Sequence, residues 1–274
     1  MGRKHLTKEE ILSIKEKYKN GVKVKELEKE FNCTNFTIYK VINRENLNKV
    51  HGNRRFDINE SYFNIIDSER KAYFLGLIWA DGSILKSKGT LSIHLQKEDE
   101  YLLEELRNDI CPSKPLKYYQ PKNPKWKERA ILNIYSYPLI NSLINIGCVP
   151  NKRQGVEFPN CIPDNLLIHF IRGYFDGDGC VTISEKSEKN SRRFTIGFTG
   201  AIQFIEQLKK ILLNVLNVEF NKVVFEKRNK VTSSIHLRKY SKLNDFYDKL
   251  YDDATIFLKR KKEKYEKIKT WKTS

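Results

Sequence analysis

No apolar run in this sequence approaches the roughly 20 residues a membrane-spanning helix needs. That argues against a helical membrane protein. The opening residues, MGRKHLTKEE, lack the apolar core of a secretory signal, and Leu6 stands where a myristoylation signal places Ser or Thr. The expectation is a protein that is not secreted: cytoplasmic, in a bacterial or phage-infected cell, or organellar. Paired cysteines are missing too. The five cysteines, Cys33, Cys111, Cys148, Cys161 and Cys180, are odd in number, scattered and without a CxxC pair. This points to reduced thiols and away from a disulfide framework or a thiolate zinc site. Negative charge is scarce: 34 Asp and Glu stand against 51 Lys and Arg, a formal net charge of +17. Such a field attracts polyanions, and nucleic acid is the commonest one inside cells. A Lys-rich run such as KKEKYEK is also compatible with compositional bias alone.

What is present is enough for a sizeable core. The 274 residues are 39% hydrophobic and 12% aromatic, which suits one large domain or two unequal ones. The 31% charged fraction and mean hydropathy of −0.60 predict a soluble chain.

The first segment, about Leu6 to Arg44, reads as three helices. Thr7 with Glu10 forms a capping box ahead of Ile11, Ile14 and Tyr18 at helical spacing. A short second helix carries Leu27 and Phe31 on one side. After a turn, Thr34 caps a third, with Phe36, Val41 and Ile42 expected inward. Helix, short helix, tight turn, helix is the helix-turn-helix pattern, and it resembles the small domains of site-specific recombinases. A plain helical bundle or a protein-contact module has the same outline. The expected units are residues 1–46, a polar linker 47–60 containing Arg54 and Arg55, a first repeat 61–158 and a second repeat 159–274.

The repeats are the main organising feature. Each reads helix, two strands, helix, two strands, helix. GTLSIHLQ alternates strictly, with Thr90, Ser92, His94 and Gln96 on one side and Leu91, Ile93 and Leu95 on the other. In the second copy, Arg193, Thr195 and Thr199 oppose Phe194, Ile196 and Phe198. The closing stretch KLNDFYDKLYDDATIFLKRK reads as one helix. The predicted class is α+β: two pseudo-symmetric αββαββα repeats forming a β-saddle, plus a small all-α N-terminal domain. Each antiparallel sheet keeps one apolar face for helices and one polar face for a partner.

Two helices share an odd ending. FLGLIWADG and IRGYFDGDG both close on Asp-Gly, with Asp81 and Asp178 placed 97 positions apart. Gly76 and Ala80 are four apart, as are Gly173 and Gly177, so each pair lies on one helix face. With almost no side chain there, the two helices can pack nearly backbone to backbone. Facing each other, they bring Asp81 and Asp178 together beside the negative ends of both helices. Two carboxylates and two negative poles repel. A hard divalent cation relieves that, and an oxygen-only ligand set suits Mg²⁺ with several retained waters. One Asp-Gly helix end alone is an ordinary helix stop; two, one repeat apart with matching small stripes, are not.

These two helices resemble the signature helices of the LAGLIDADG homing endonucleases in their single-chain, two-motif form. KAYFLG, GCVPNKR and FLKRK add to the likeness, which covers roughly residues 55–265. The N-terminal helices resemble the appended DNA-binding module of some free-standing members. The resemblance implies a Mg²⁺-dependent, site-specific double-strand DNA endonuclease, acting as a monomer in intron homing. It would use two or three divalent ions, with Mn²⁺ or Ca²⁺ able to substitute for binding. Asp81 and Asp178 would bind the metal, with the carbonyls of Ala80 and Gly177 facing it. Gln96 and Lys97 stand where members place a polar and a basic residue beside the scissile phosphates. The second copy offers Thr199 and Gly200 and no lysine, which allows unequal cutting of the two strands. Trp79 departs from the motif's acidic sixth position, which Asp176 keeps.

The saddle would then bind double-stranded DNA. Cleavage would fall across the minor groove, with the sheets in the major groove at either side. Expected contacts are Lys86, Thr90, Ser92, His94, Arg193, Thr195, Lys227, Arg228, His236 and Arg238 from the repeats, Arg54 and Arg55 from the linker, and Asn35, Thr37, Tyr39 and Lys40 from the N-terminal module. Two alternatives stand beside this one: a non-cleaving DNA-binding regulator, and a maturase that binds its own intron RNA.

Overall fold

The computed structural model describes residues 6–19, 22, 24–44, 56–150, 156–186, 191–225 and 231–270. Arg54, Arg55, Lys227 and Arg228 lie outside them. No helix among the described residues is long and apolar enough to cross a membrane.

The N-terminal segment forms α1 (Lys8–Lys19), α2 (Val24–Glu30) and α3 (Asn35–Arg44). The capping box is formed: the Thr7 amide donates to Glu10 Oε2 at 2.9 Å and the Glu10 amide to Thr7 Oγ1 at 3.1 Å. Ile14, Tyr18, Leu27, Phe31, Ile38, Val41 and Ile42 make a core of their own. Phe36, expected inward, is 66% exposed. The buried stripe of α3 is Ile38, Val41 and Ile42, spaced three and one, and a residue two positions before Ile38 falls on the opposite side of the helix.

The rest of the described chain follows the repeat. The first copy is α4 (Glu69–Asp81), β1 (Gly82–Leu85), β2 (Thr90–Gln96), α5 (Glu100–Ile110), β3 (Lys117–Tyr119), β4 (Arg129–Tyr135) and α6 (Tyr137–Asn145). The second is α7 (Leu167–Asp178), β5 (Cys180–Lys186), β6 (Ser191–Ala201), α8 (Ile202–Leu216), β7 (Val224–Phe225), β8 (Thr232–Leu237) and α9 (Tyr240–Tyr251), followed by α10 (Lys259–Thr270). Each copy holds one four-stranded antiparallel sheet, ordered β1-β2-β4-β3 and β5-β6-β8-β7. The class is therefore α+β, and one continuous apolar cluster runs through both copies.

The expected single closing helix is two. Residues 252–258 interrupt it, and the interruption is held from a distance. Glu69, in the first turn of α4, accepts the Thr255 amide at 2.9 Å, and Asp176 accepts the Leu258 amide at 2.7 Å. Asp176 thus satisfies the amide of the residue just ahead of α10, a donor that a helix start leaves open, while Glu69 holds an amide within the interruption itself. Glu69 also takes a hydrogen bond from the buried Arg172, whose guanidinium donates to the carbonyls of Leu250 and Ile256 at 2.9 Å each.

Helix α4 begins at Ser68, whose hydroxyl accepts the Lys71 amide at 3.4 Å, and it is buried from Ala72 to Ala80. Its partner across the pseudo-twofold is α7. A Cβ on Gly76 would fall 2.1 Å from the Phe170 carbonyl oxygen, and one on Gly173 only 1.9 Å from that of Tyr73. A Cβ on Gly177 would sit 2.3 Å from the Cβ of Ala80. The two backbones touch where Gly76 and Gly173 leave room, and only side chains this small allow it.

Candidate active site at the paired helix ends

Asp81 and Asp178 are the last residues of α4 and α7, and in both copies the chain passes into a strand with no intervening loop. The glycines that follow adopt one conformation: Gly82 at φ −70°, ψ 143° and Gly179 at φ −69°, ψ 142°. Neither is left-handed. Glycine is required here for space, since a Cβ would meet the Ile78 carbonyl oxygen at 2.6 Å in one copy and the Phe175 ring at 2.1 Å in the other.

The two acids converge. Asp81 Oδ2 lies 3.1 Å from the position a Cβ on Gly177 would take, so the first acid rests against the last turn of the second helix. Burial, then the Asp178 and Asp81 carboxylates, push the Tyr174 phenol well above its ordinary value. Lys261 senses the same two carboxylates. Both aspartates are exposed at this shared pole.

Lys261 is the residue that sequence reasoning passed over. It lies within FLKRK, where nothing in the local spacing sets one basic residue apart from the next. Its ammonium is buried at the end of α7 and donates to the carbonyl of Phe175, of Gly179 at 2.5 Å and of Gly177 at 3.4 Å. A cation there answers the negative helix end directly. Burial pushes it down to about 8, against the pull of Asp176, Asp81 and Asp178. Asp176 is itself fully enclosed, and burial raises its carboxyl even though Tyr73 at 2.8 Å, Tyr251 at 2.5 Å and the Leu258 amide all donate to it. At the equivalent place in the first copy, Trp79 donates its indole N–H to the Glu157 carbonyl at 3.3 Å.

The donor set fits a hard cation in part. Asp81 and Asp178 offer carboxylate oxygens at two negative helix ends, the chemistry Mg²⁺ takes. The Gly177 carbonyl already accepts from Lys261. Among the described residues no group of three or more His, Cys, Asp or Glu is arranged to hold a metal.

Strand register fixes the remaining correspondences. Gly82 pairs with Ile93 and Cys180 with Gly197. The counterpart of Ile93 is thus Phe198, and Ala201 and Ile202, not Thr199 and Gly200, stand where Gln96 and Lys97 stand. The second copy still lacks a lysine there. Lys97 is tied to Glu128 at 2.7 Å and lies 5.4 Å from the Tyr118 ring centroid; the Glu128 contact holds its ammonium above the usual range.

Sheet faces follow the alternation. Thr90, Ser92, His94 and Gln96 share the polar face with Tyr135, Asn133, Ile131 and Arg129. Ser92 Oγ donates to Asn133 Oδ1 at 2.5 Å and lies 2.8 Å from His94 Nε2. Lys86 is exposed just past β1. On the second sheet, Thr195 and Gly197 pair with Thr182 and Cys180, Arg193 pairs with Ser184, and His236 pairs with Gly197. Burial and a neighbouring arginine lower both His94 and His236, the arginine being Arg129 for one and Arg238 for the other. In α3, Asn35, Tyr39 and Lys40 are exposed and Thr37 is half-buried, its hydroxyl 3.1 Å from that of Thr34.

The fold and site define a class: an α+β protein of two repeats joined along acid-ended helices. Residues 165–249, within the second repeat, match the family model described as a LAGLIDADG-like domain. An uncharacterised protein of Methanocaldococcus jannaschii is 24% identical over 183 residues, 64% of this chain and 64% of that one. The RNA polymerase subunit Rpo1C of the same organism is 31% identical over 115 residues, 42% of this chain and 13% of that one. Both figures leave the chain spanning less than two thirds of these curated relatives. Among solved structures, the I-LtrWI LAGLIDADG homing endonuclease bound to target DNA aligns at a TM-score of 0.49 and 15% identity, covering 77% of this chain and 90% of that one.

Proposed function

We propose that this chain is a site-specific double-strand DNA endonuclease of the homing type. The observation that carries it is the convergence of Asp81 and Asp178 at one exposed pole, on helices that meet backbone to backbone. The net charge of +17 and the two polar sheet faces supply a surface for a duplex, with affinity that falls steeply with salt. The LAGLIDADG-like domain in the second repeat agrees with the reading.

In this reading Asp81 and Asp178 hold divalent cations, Mg²⁺ in the cell. Bound there, such ions supply Lewis acidity and a more acidic water. The reaction is hydrolysis: water adds to phosphorus and the bridging oxygen leaves, once in each strand. The glycine crossing brings the two carboxylates to one pole, where the phosphates of both strands would be met across the minor groove. The sheets seat the duplex in register, and Lys261 screens the carbonyl end of α7. Lys97, turned to Glu128, takes part only if DNA draws it away. The residues of α3 extend the site at one end. Both halves come from one chain, so a monomer suffices.

A second reading, DNA binding without cleavage, draws on one observation: Lys261 already lies on the Gly177 carbonyl, where the resemblance puts metal. The test is selection of cleaved sites from a randomised duplex library with Mg²⁺, beside Asp81→Asn and Asp178→Asn. The proposal expects defined cuts from the wild type and none from either variant. Full cutting by both variants refutes the site; selective binding without cutting by the wild type favours the second reading.

A further inference from the structure

The two partner-facing sheet surfaces differ in chemistry. On the first, the register lines up Leu85, Thr90 and Tyr135 in one row across β1, β2 and β4. Leu85 and Tyr135 are 47% and 51% exposed. A second row sets Tyr119, 53% exposed, beside Arg129 and Gln96. Three large apolar side chains therefore stand in solvent on a polar face, with basic groups among them: Lys114 Nζ lies 5.2 Å from the Tyr135 ring centroid. Among the described side chains the second sheet presents mainly small hydroxyls, with Thr182 paired to Thr195 and Thr199 to Ser234; of the large apolar residues exposed there, Val224 pairs with Ser234 on this face.

We propose that the first sheet reads thymine 5-methyl groups through Leu85, Tyr135 and Tyr119, whereas the second sheet reads donors and acceptors. The proposal rests on the DNA-binding reading above. In the major groove thymine alone among the bases presents a methyl, and apolar side chains are its partners. A hydroxyl accepts from or donates to any base edge, and the methyl of a threonine offers a thymine far less apolar surface than Leu or Tyr does. Leu85 stands four residues beyond Asp81, about 13 Å along the strand, so its row contacts pairs several steps from the scissile centre. The basic residues between the apolar ones favour a nucleic acid over an apolar protein partner as the occupant. A half-site over the first sheet that is rich in thymine, and dependent on its methyls, follows.

The test uses the full chain and one probe: the tightest duplex recovered from a randomised library, bound without divalent metal. That duplex is remade with deoxyuracil for thymine in one half at a time, removing only methyls. An iron chelate on Ser83→Cys, in a background where the accessible Cys33, Cys161 and Cys180 are all serine, marks the half over the first sheet by local strand scission. Removing methyls from the marked half is expected to weaken binding about fourfold per contacted methyl and from the other half less than twofold. Leu85→Ala with Tyr135→Ala is expected to abolish the difference while the circular dichroism and melting temperature stay those of wild type. Equal losses in both halves, or a marked half without thymine, overturn the methyl assignment and leave DNA binding standing. A library that yields no preferred duplex overturns the DNA-binding reading itself.

Discussion

Replacing Gly173 by alanine tests the helix crossing on which the site depends. The new Cβ would lie 1.9 Å from the Tyr73 carbonyl oxygen and 2.8 Å from its carbon. Ordinary contact needs an opening of roughly 1.5 Å. Two effects oppose one another. Alanine is better than glycine in a helix interior by about 1 kcal/mol. Overpacking costs about 1–3 kcal/mol, and the upper end applies where the obstacle is backbone on a facing helix and not a side chain that can rotate. Sterics win, and a net loss of about 2 kcal/mol is expected, equivalent to about 4–8 °C in melting temperature for a chain of this size. Urea denaturation followed by circular dichroism reads it. Cleavage should fall further than stability, because an ångström-scale displacement at a catalytic centre costs about a hundredfold. Gly76→Ala, with its Cβ 2.1 Å from the Phe170 carbonyl oxygen, should behave alike. A Gly173→Ala protein as stable as wild type, or more so, would show that the helices do not meet backbone to backbone, and the placement of the two acids would fall with it.

Three further outcomes are expected. Asp81→Asn, by removing one of two like charges at the negative helix ends, should raise the metal-free melting temperature and shrink the stabilisation that added Ca²⁺ gives; scanning fluorimetry with and without Ca²⁺ reads both. Lys261→Met should change the pH dependence of stability. The folded ammonium titrates near 8 and the unfolded one near the ordinary 10.5, so between those values the unfolded chain holds more protons and stability rises with pH; the variant should lose that rise in urea midpoints measured from pH 7.5 to 10.5. Phe36→Ser, at an exposed position of α3, should shift stability by less than about 0.5 kcal/mol and yet weaken DNA binding in an anisotropy titration; unchanged binding would remove the exposed face of α3 from the interface.

Much of this architecture is written in local pattern. The alternation of β2 and β6, the capping box at Thr7 and the small stripe of Gly76, Ala80, Gly173 and Gly177 are legible because each depends on residues a few positions apart, on a fixed period of two or 3.6. The likeness of the two Asp-Gly helix ends is legible for the same reason, since a duplicated fold repeats its spacing. What tertiary structure alone decided depends on partners far along the chain. The break between α9 and α10 exists because Glu69 and Asp176, from other helices, accept its free amides. Lys261 lies on α7 only because that break turns α10 back towards it. The true counterparts of Gln96 and Lys97 follow from strand pairing, which spacing along one strand does not encode. Local periodicity fixes which face a residue takes; only the assembled fold fixes what waits on the other side.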